Sequence, residues 1–412
     1  MITPTKPALD ANAGIYTVRW EQFGILLQAD RLYSDRRGHL SAEVVIRATA
    51  PGIPPHLLQD RLTLNTASSR DRTAKTLSEM VGDTLPWRQM LEQACLAIMA
   101  RHREGEPLIN LGTRPMPEGL RYRLAPILLE RQPTLIFGEG GAAKSFFALY
   151  LASLVQMGLA HNGLEPEPGN VLYLDYETDE DTMTTRLEMI ANGLKGARPP
   201  ILYRFCSQPF ISEVVEFQRI VQAESIALVV VDSIGAAVPG DIQHEELPNQ
   251  FYSALRSLRC SALLVSHTQK GGELKTPYGN VYWTNRARSV YELKRSSEHS
   301  ARSLYLGLYH RKANNTILQD PVGFQLLFGE GDTELVVERQ DIRAIADLAE
   351  GLPLRDRILD ALSHGLLTTP ELASAIGETE RKIKTTLAHM SIRDITRTGD
   401  GWSLRTERQP GE

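Results

Sequence analysis

Eight residues, Gly138-Glu-Gly-Gly-Ala-Ala-Lys-Ser145, carry the most specific chemistry in the chain. They follow a short apolar run at 134–137 and open a stretch from Phe146 that is apolar nearly all round. Strand, Gly-rich loop, Lys-Ser and helix is the context of a phosphate-binding loop. Glycines let backbone N–H groups wrap a β-phosphate, and a helix N-terminus favours the anion. The expected nucleotide cradle is therefore Gly138, Glu139, Gly140, Gly141, Ala142, Ala143, Lys144, Ser145 and Phe146. Lys144 balances β/γ charge and Ser145 offers its hydroxyl to Mg2+. Ala143 departs from the pattern, which has glycine before the lysine. It keeps its N–H donor and adds a methyl.

Two further apolar runs end in acids. Asp232 closes the run 227–231, at the strand end where α/β sheets bind ligands, and reads as the acid that holds Mg2+. ATP hydrolysis also needs a carboxylate to orient or deprotonate water. Asp232 is followed by Ser233, not by a second acid, so the base comes from another strand. Leu172-Tyr-Leu-Asp-Tyr-Glu-Thr178 supplies Glu177 as the candidate. Asp175 shares its face by period-2 counting, so the two could share or exchange roles. Asp179, Glu180 and Asp181 read as a solvated helix start.

The run ending at Ser266 continues as His267-Thr-Gln269-Lys270. His267 and Gln269 either sense a γ-phosphate or serve structure. The following loop, to Thr284, carries Lys275, Tyr278, Tyr282 and Trp283. With Lys270, this mixture of charge and aromatics suits single-stranded DNA, by backbone tracking and base stacking. The alternative buries Tyr282 and Trp283 beneath a sheet. Between Arg286 and Lys312 seven basic residues face two acids, an excess that suits phosphate or an intersubunit surface. Arg311 or Lys312 there could act on a neighbour's γ-phosphate.

These residues need elements to hold them. Between 122 and 338, short apolar runs alternate with helical patterns. That predicts an α/β domain with a mostly parallel sheet buried on both faces. Residues 1–118 open with strand-like runs around a turn at 35–38, then a short helix at 77–81 and a longer one from a cap at Thr84 to Arg101. This is an α+β accessory domain without a chemical motif. Residues 103–119 and 341–353 read as connectors. Residues 354–405 read as a winged helix, with Arg381, Lys382 and Lys384 on the recognition helix and Arg393 and Arg397 on the wing. Nine bases and nine acids cancel over 354–412, so the module serves DNA or a protein partner.

The whole chain of 412 residues has a formal charge of −5, so any nucleic-acid contact must come from local patches. Three widely spaced cysteines exclude a disulfide framework and suit a reducing compartment. The N-terminus lacks the apolar core of a signal peptide. The longest apolar stretch, 146–160, is shorter than the ~18–20 residues of a membrane span. A cytoplasmic protein without membrane contact is the expectation.

Together the 138–145 loop, Leu174-Asp-Tyr-Glu177, Val229-Val-Val-Asp232, Ser266-His-Thr-Gln269 and Arg311-Lys-Ala-Asn314 resemble the ATPases of plasmid RepA-type hexameric helicases and their phage and mobile-element relatives. The resemblance spans roughly 125–335. It implies a RecA-like core, a hexameric ring with ATP at subunit interfaces, and motor loops facing a central channel. It also implies that Lys144 and Ser145 bind phosphate and Mg2+, that Glu177 is the base and Asp232 the Mg2+ acid, that His267 and Gln269 form the sensor, and that Arg311 occupies the trans-acting position. The expected function is an ATP-dependent DNA motor, a helicase or translocase. The alternative is an ATP-switched DNA-binding or loading protein that does not unwind.

Overall fold

The computed structural model describes residues 4–268, 276–279, 281–300, 302–390 and 394–405. The chain divides into two compact units. The first takes the chain up to Leu120 together with Cys206–Ala227 and Glu246–Cys260. It is therefore not the contiguous 1–118 expected. Its sheet is an antiparallel meander of β1 (Ala8–Asn12), β2 (Ile15–Trp20), β3 (Ile25–Ser34), β4 (Leu40–Ala48) and β5 (His56–Thr63). Alternate residues Val18, Trp20, Ile25, Leu27, Val44 and Ile46 are buried, as a one-sided sheet requires.

Helices α1 (Ala67–Val81) and α2 (Trp87–Glu104) complete its core. α1 is three times longer than the expected 77–81 because its first buried positions are polar. Ser69 and Thr73 are buried, and Arg70 donates to the Leu64 carbonyl at 2.6 Å and to Glu92 at 2.8 Å. α2 is capped by Pro86, not Thr84. The later segments join this unit through charge: Arg219 forks onto the buried Asp30 at 2.6 and 2.5 Å, and Arg31 pairs with Glu216.

The second unit holds a nine-stranded sheet. In chain order its elements are β6 (Tyr122–Ala125), β7 (Leu128–Leu129), β8 (Pro133–Gly138), α3 (Lys144–Met157), β9 (Glu165–Pro166), β10 (Asn170–Asp175), α4 (Glu180–Gly193) and β11 (Leu202–Phe205). After α5 (Val214–Ala223), which belongs to the first unit, come β12 (Ile226–Asp232) and α6 (Ile234–Ala237). Helix α7 (Glu246–Ser257) again belongs to the first unit; then follow β13 (Ser261–His267), α8 (Val281–Arg286), β14 (Ser289–Ser300), β15 (Ser303–Ala313), β16 (Val322–Phe328) and β17 (Leu335–Gln340).

The strand order is β11-β10-β12-β13-β8-β14-β15-β16-β17. β10 runs parallel to β11, β12 to β13, and β8 lies parallel between β13 and β14. From β14 to β17 the pairing is antiparallel. α3 packs buried apolar residues such as Phe147, Leu151 and Leu154 into this sheet's core.

The stretch 341–353 is not a loose connector. It contains α9 (Ala346–Ala349), and Ile342, Ile345, Leu348 and Leu352 form an apolar cluster with Tyr309. Asp347 accepts from the Ser296 hydroxyl and the Ser297 amide, each at 2.6 Å. Beyond it lie α10 (Leu354–Ser363), β18 (Leu367–Thr368), α11 (Thr369–Ile376), α12 (Glu380–His389), β19 (Ile395–Thr398) and β20 (Gly401–Leu404). The three strands pair in the order β18-β20-β19. Ile358, Leu362, Leu372, Ile383, Leu387 and Ile395 form a separate core. Thr368 and Glu371 make a capping box for α11. Among the described residues no helix is long and apolar enough to cross a membrane.

Candidate nucleotide site

The loop between β8 and α3 is built as a phosphate cradle. A Cβ at Gly138 would lie 2.3 Å from the Leu293 carbonyl oxygen, so only glycine fits beside β14. Gly141 adopts φ +76° and Ala143 φ +55°. Ala143 therefore takes the left-handed conformation that glycine adopts without strain. Directly after it the first amides of α3 are available to an anion. The buried Lys144 donates from Nζ to the Gly138 and Glu139 carbonyls at 3.1 and 2.8 Å. Burial lowers its ammonium pKa, and the charges of Asp232 and Glu177 oppose that shift.

Strand ends deliver the acids. Asp232 closes β12 and is buried; its Oδ2 accepts from the Tyr173 hydroxyl at 2.6 Å. Burial raises its carboxyl pKa, while hydrogen bonds from Tyr173 and Ser145 pull it down. Ser145 hydroxyl and Asp232 carboxylate are thus paired hard oxygens, the donors Mg2+ selects. Among the described residues there is no group of three or more His, Cys, Asp or Glu side chains that could hold a metal by itself.

Asp175 does not exchange roles with Glu177. Its Oδ1 accepts from the Glu177 and Thr178 amides at 2.9 and 3.1 Å, and its Oδ2 from the Thr178 and Tyr203 hydroxyls at 2.5 and 3.1 Å. These bonds occupy both oxygens and fix the turn that carries Glu177. Period-2 counting fails here because β10 ends at Asp175.

Glu177 Oε1 accepts from His267 Nε2 at 3.2 Å and from the Ser233 hydroxyl. His267 Nδ1 lies 3.4 Å from Lys144 Nζ. His267 thus lies between Lys144 and Glu177, within reach of both. The His267 hydrogen bond is the main cause of a carboxyl pKa lowered to about 2, with the Ser233 hydrogen bond and the charges of His267 and Lys144 adding to it against burial. Next to His267, the Thr268 amide donates to the Gly138 carbonyl at 3.1 Å. The end of β13 is therefore bonded directly to the phosphate loop.

A cavity of about 330 Å3 is lined by 141–146, Glu177, Asp232 and His267. Arg186, which the sequence reading missed, also lines it, with its guanidinium 5.0 Å from the Phe146 ring centroid. Phe146 packs edge-on against Phe328 at 5.7 Å. Tyr173, Tyr203 and Ser233 were missed too. The available signal was that a tyrosine in a buried strand needs a partner for its hydroxyl.

Other expected residues lie elsewhere. Gln269, Lys270, Lys275 and Arg393 lie outside the described residues. Trp283 is 1% exposed and donates from Nε1 to the Ile242 carbonyl at 3.0 Å, so its ring is core and not a stacking platform. Tyr282 is exposed. Arg311 sits at a bulge where β15 opposes Val290 and Tyr291, below the phosphate loop in register. It is bound to Glu292 at 2.7 and 2.9 Å and covers the Tyr309 ring at 4.7 Å. Lys312 donates to the Thr284, Asn285 and Ala287 carbonyls, each at 2.8 Å, and so caps the end of α8. On α12, Arg381 is exposed, Lys382 pairs with Glu378 at 3.0 Å and Lys384 with Glu380 at 3.2 Å.

A protein-family model described as an AAA domain matches residues 108–273, less than half of the chain. That stretch contains Lys144, Glu177, Asp232 and His267, and with the loop geometry it supports a nucleotide-binding P-loop ATPase core. Among solved structures, a KaiC-like protein from the hyperthermophilic archaeon Pyrococcus horikoshii is similar at 15% identity. The match covers 54% of this chain and 98% of that one, with a TM-score of 0.36. No curated protein matches the chain.

Proposed function

We propose that the protein is an ATP-dependent DNA motor of the helicase or translocase kind, working as a ring of copies, hexameric by its resemblance to RepA-type helicases. The observation that supports this best is the continuous bonding from Lys144 through His267 to Glu177, with Thr268 tied to Gly138. Lys144, Ser145 and the α3 amides hold the phosphates of the substrate ATP. Mg2+, held through Ser145 and Asp232, would screen phosphate charge. Glu177 Oε1 is occupied by Ser233 and His267, which leaves Oε2 for the attacking water. A carboxyl with so low a pKa orients water well and strips its proton poorly. Hydrolysis therefore speeds up when His267 is drawn off Glu177. The segment that follows His267 and Thr268 is where single-stranded DNA would act on it.

Residues 354–405 serve in this reading as a winged helix that docks the ring, on DNA or on a protein. A second reading, the ATP switch without unwinding, is favoured by the burial of Trp283 and the engagement of Arg311 by Glu292. ATP turnover with and without single-stranded DNA separates the two. Strong stimulation supports the motor. Slow turnover indifferent to single strands, with ATP-dependent duplex binding, leaves the switch.

A further inference from the structure

A second cavity, of about 530 Å3, lies beneath α4 at the β11 edge of the sheet. Its size is within the ~300–1,000 Å3 of small-molecule sites. Tyr173 and Tyr203 face each other across the β10–β11 ladder, and both line it. These same tyrosines donate their hydroxyls to the two acids behind the nucleotide site, Asp232 and Asp175. Tyr173 is fully buried and forms the floor; Tyr203 is half-buried and reachable.

The lining defines a ligand chemistry. Tyrosine rings, Pro199 and Pro200 give flat apolar faces, widened by Met183. Polar groups are few: Glu180, Thr184 and Arg198. Glu180 can accept and Thr184 can do both, while Arg198 already lies 3.7 Å from Glu188, which answers its charge. This combination takes an uncharged planar molecule with both a donor and an acceptor on its edge.

We propose that this cavity is an effector site for an uncharged planar heteroaromatic molecule, and that its occupancy is read at the nucleotide site through Tyr203. A ring stacked on Tyr203 displaces the hydroxyl that holds Asp175 Oδ2. Asp175 in turn fixes the amides of Glu177 and Thr178. The effect falls on turnover more than on nucleotide affinity, because Lys144 and Ser145 stand outside this path. The coupling rests on the ATPase reading; the site itself does not.

The test uses the full chain and quinazolin-4-one as probe, with binding read by saturation-transfer NMR. Thr184 is exposed on α4, so Thr184→Trp fills the cavity without disturbing a core. The parent should bind the probe, and Thr184→Trp should bind it roughly tenfold more weakly or worse. Saturating probe should change the parent's rate of ATP turnover and leave affinity for a fluorescent ADP analogue within about twofold. In Tyr203→Phe the probe should still bind and no longer change the rate. Absence of binding to the parent, or equal binding to Thr184→Trp, overturns the site. A parent rate indifferent to bound probe overturns the coupling. A parent that binds no nucleotide overturns the ATPase reading and the coupling with it, and the NMR comparison still decides the site.

Discussion

Ala143 stands at φ +55°, where a side chain costs about 1 kcal/mol or more relative to glycine. Ala143→Gly should therefore raise the melting temperature of the protein, and a fall would show that the methyl contributes packing. His267 sets a second expectation. Its bond keeps the Glu177 carboxyl near 2, below the ordinary value of about 4.3. Glu177 thus stays ionised as pH falls from neutral, and the stability its charge adds is lost only on the way through 4 toward 2. His267→Ala removes the largest lowering influence. The acid limb of its turnover profile should move to higher pH, while an unmoved limb would separate His267 from Glu177. Lys144, Ser145, Asp232 and Glu177 were legible because loop spacing and strand ends mark them. Asp175 was misread because the alternation that pairs it with Glu177 stops where the strand stops. Ser233, Tyr173 and Tyr203 act through hydrogen bonds between segments far apart in sequence, which no local pattern records.

Elements were legible where burial is written in apolar residues. The runs at 134–137 and 227–231, the run within 172–178 and the run ending at Ser266 all fall in strands of the sheet. β14 was missed since its buried half is short and holds Ser289 and Glu292. α1 was cut short for the same reason, its buried face resting on Ser69, Arg70 and Thr73. The basic cluster at 286–312 looked like a phosphate surface, yet Lys312 spends its charge on the last carbonyls of α8. A cation there offsets the helix dipole and satisfies acceptors that lack intrahelical donors. Lys312→Met should cost about 1–2 kcal/mol of stability, measured by chemical denaturation. A neutral result would mean that Trp283 alone seats the helix.

At the scale of the molecule, length and alternation predicted an α/β core with flanking modules. The partition differs, because two segments of the middle third belong with the N-terminal sheet. Long-range pairs such as Arg219 with Asp30 decide that, and neither residue announces its partner in sequence. The claim that ties the site to function is that one carboxylate, Glu177, turns ATP over while its neighbour, Asp175, only holds the turn. The most direct measurement is single-turnover ATP hydrolysis, with single-stranded DNA present, by Glu177→Gln and Lys144→Ala beside the parent. Glu177→Gln should bind ATP as the parent does and lose roughly 100-fold or more in rate, and Lys144→Ala should lose binding. Parent-like hydrolysis by Glu177→Gln would contradict the account.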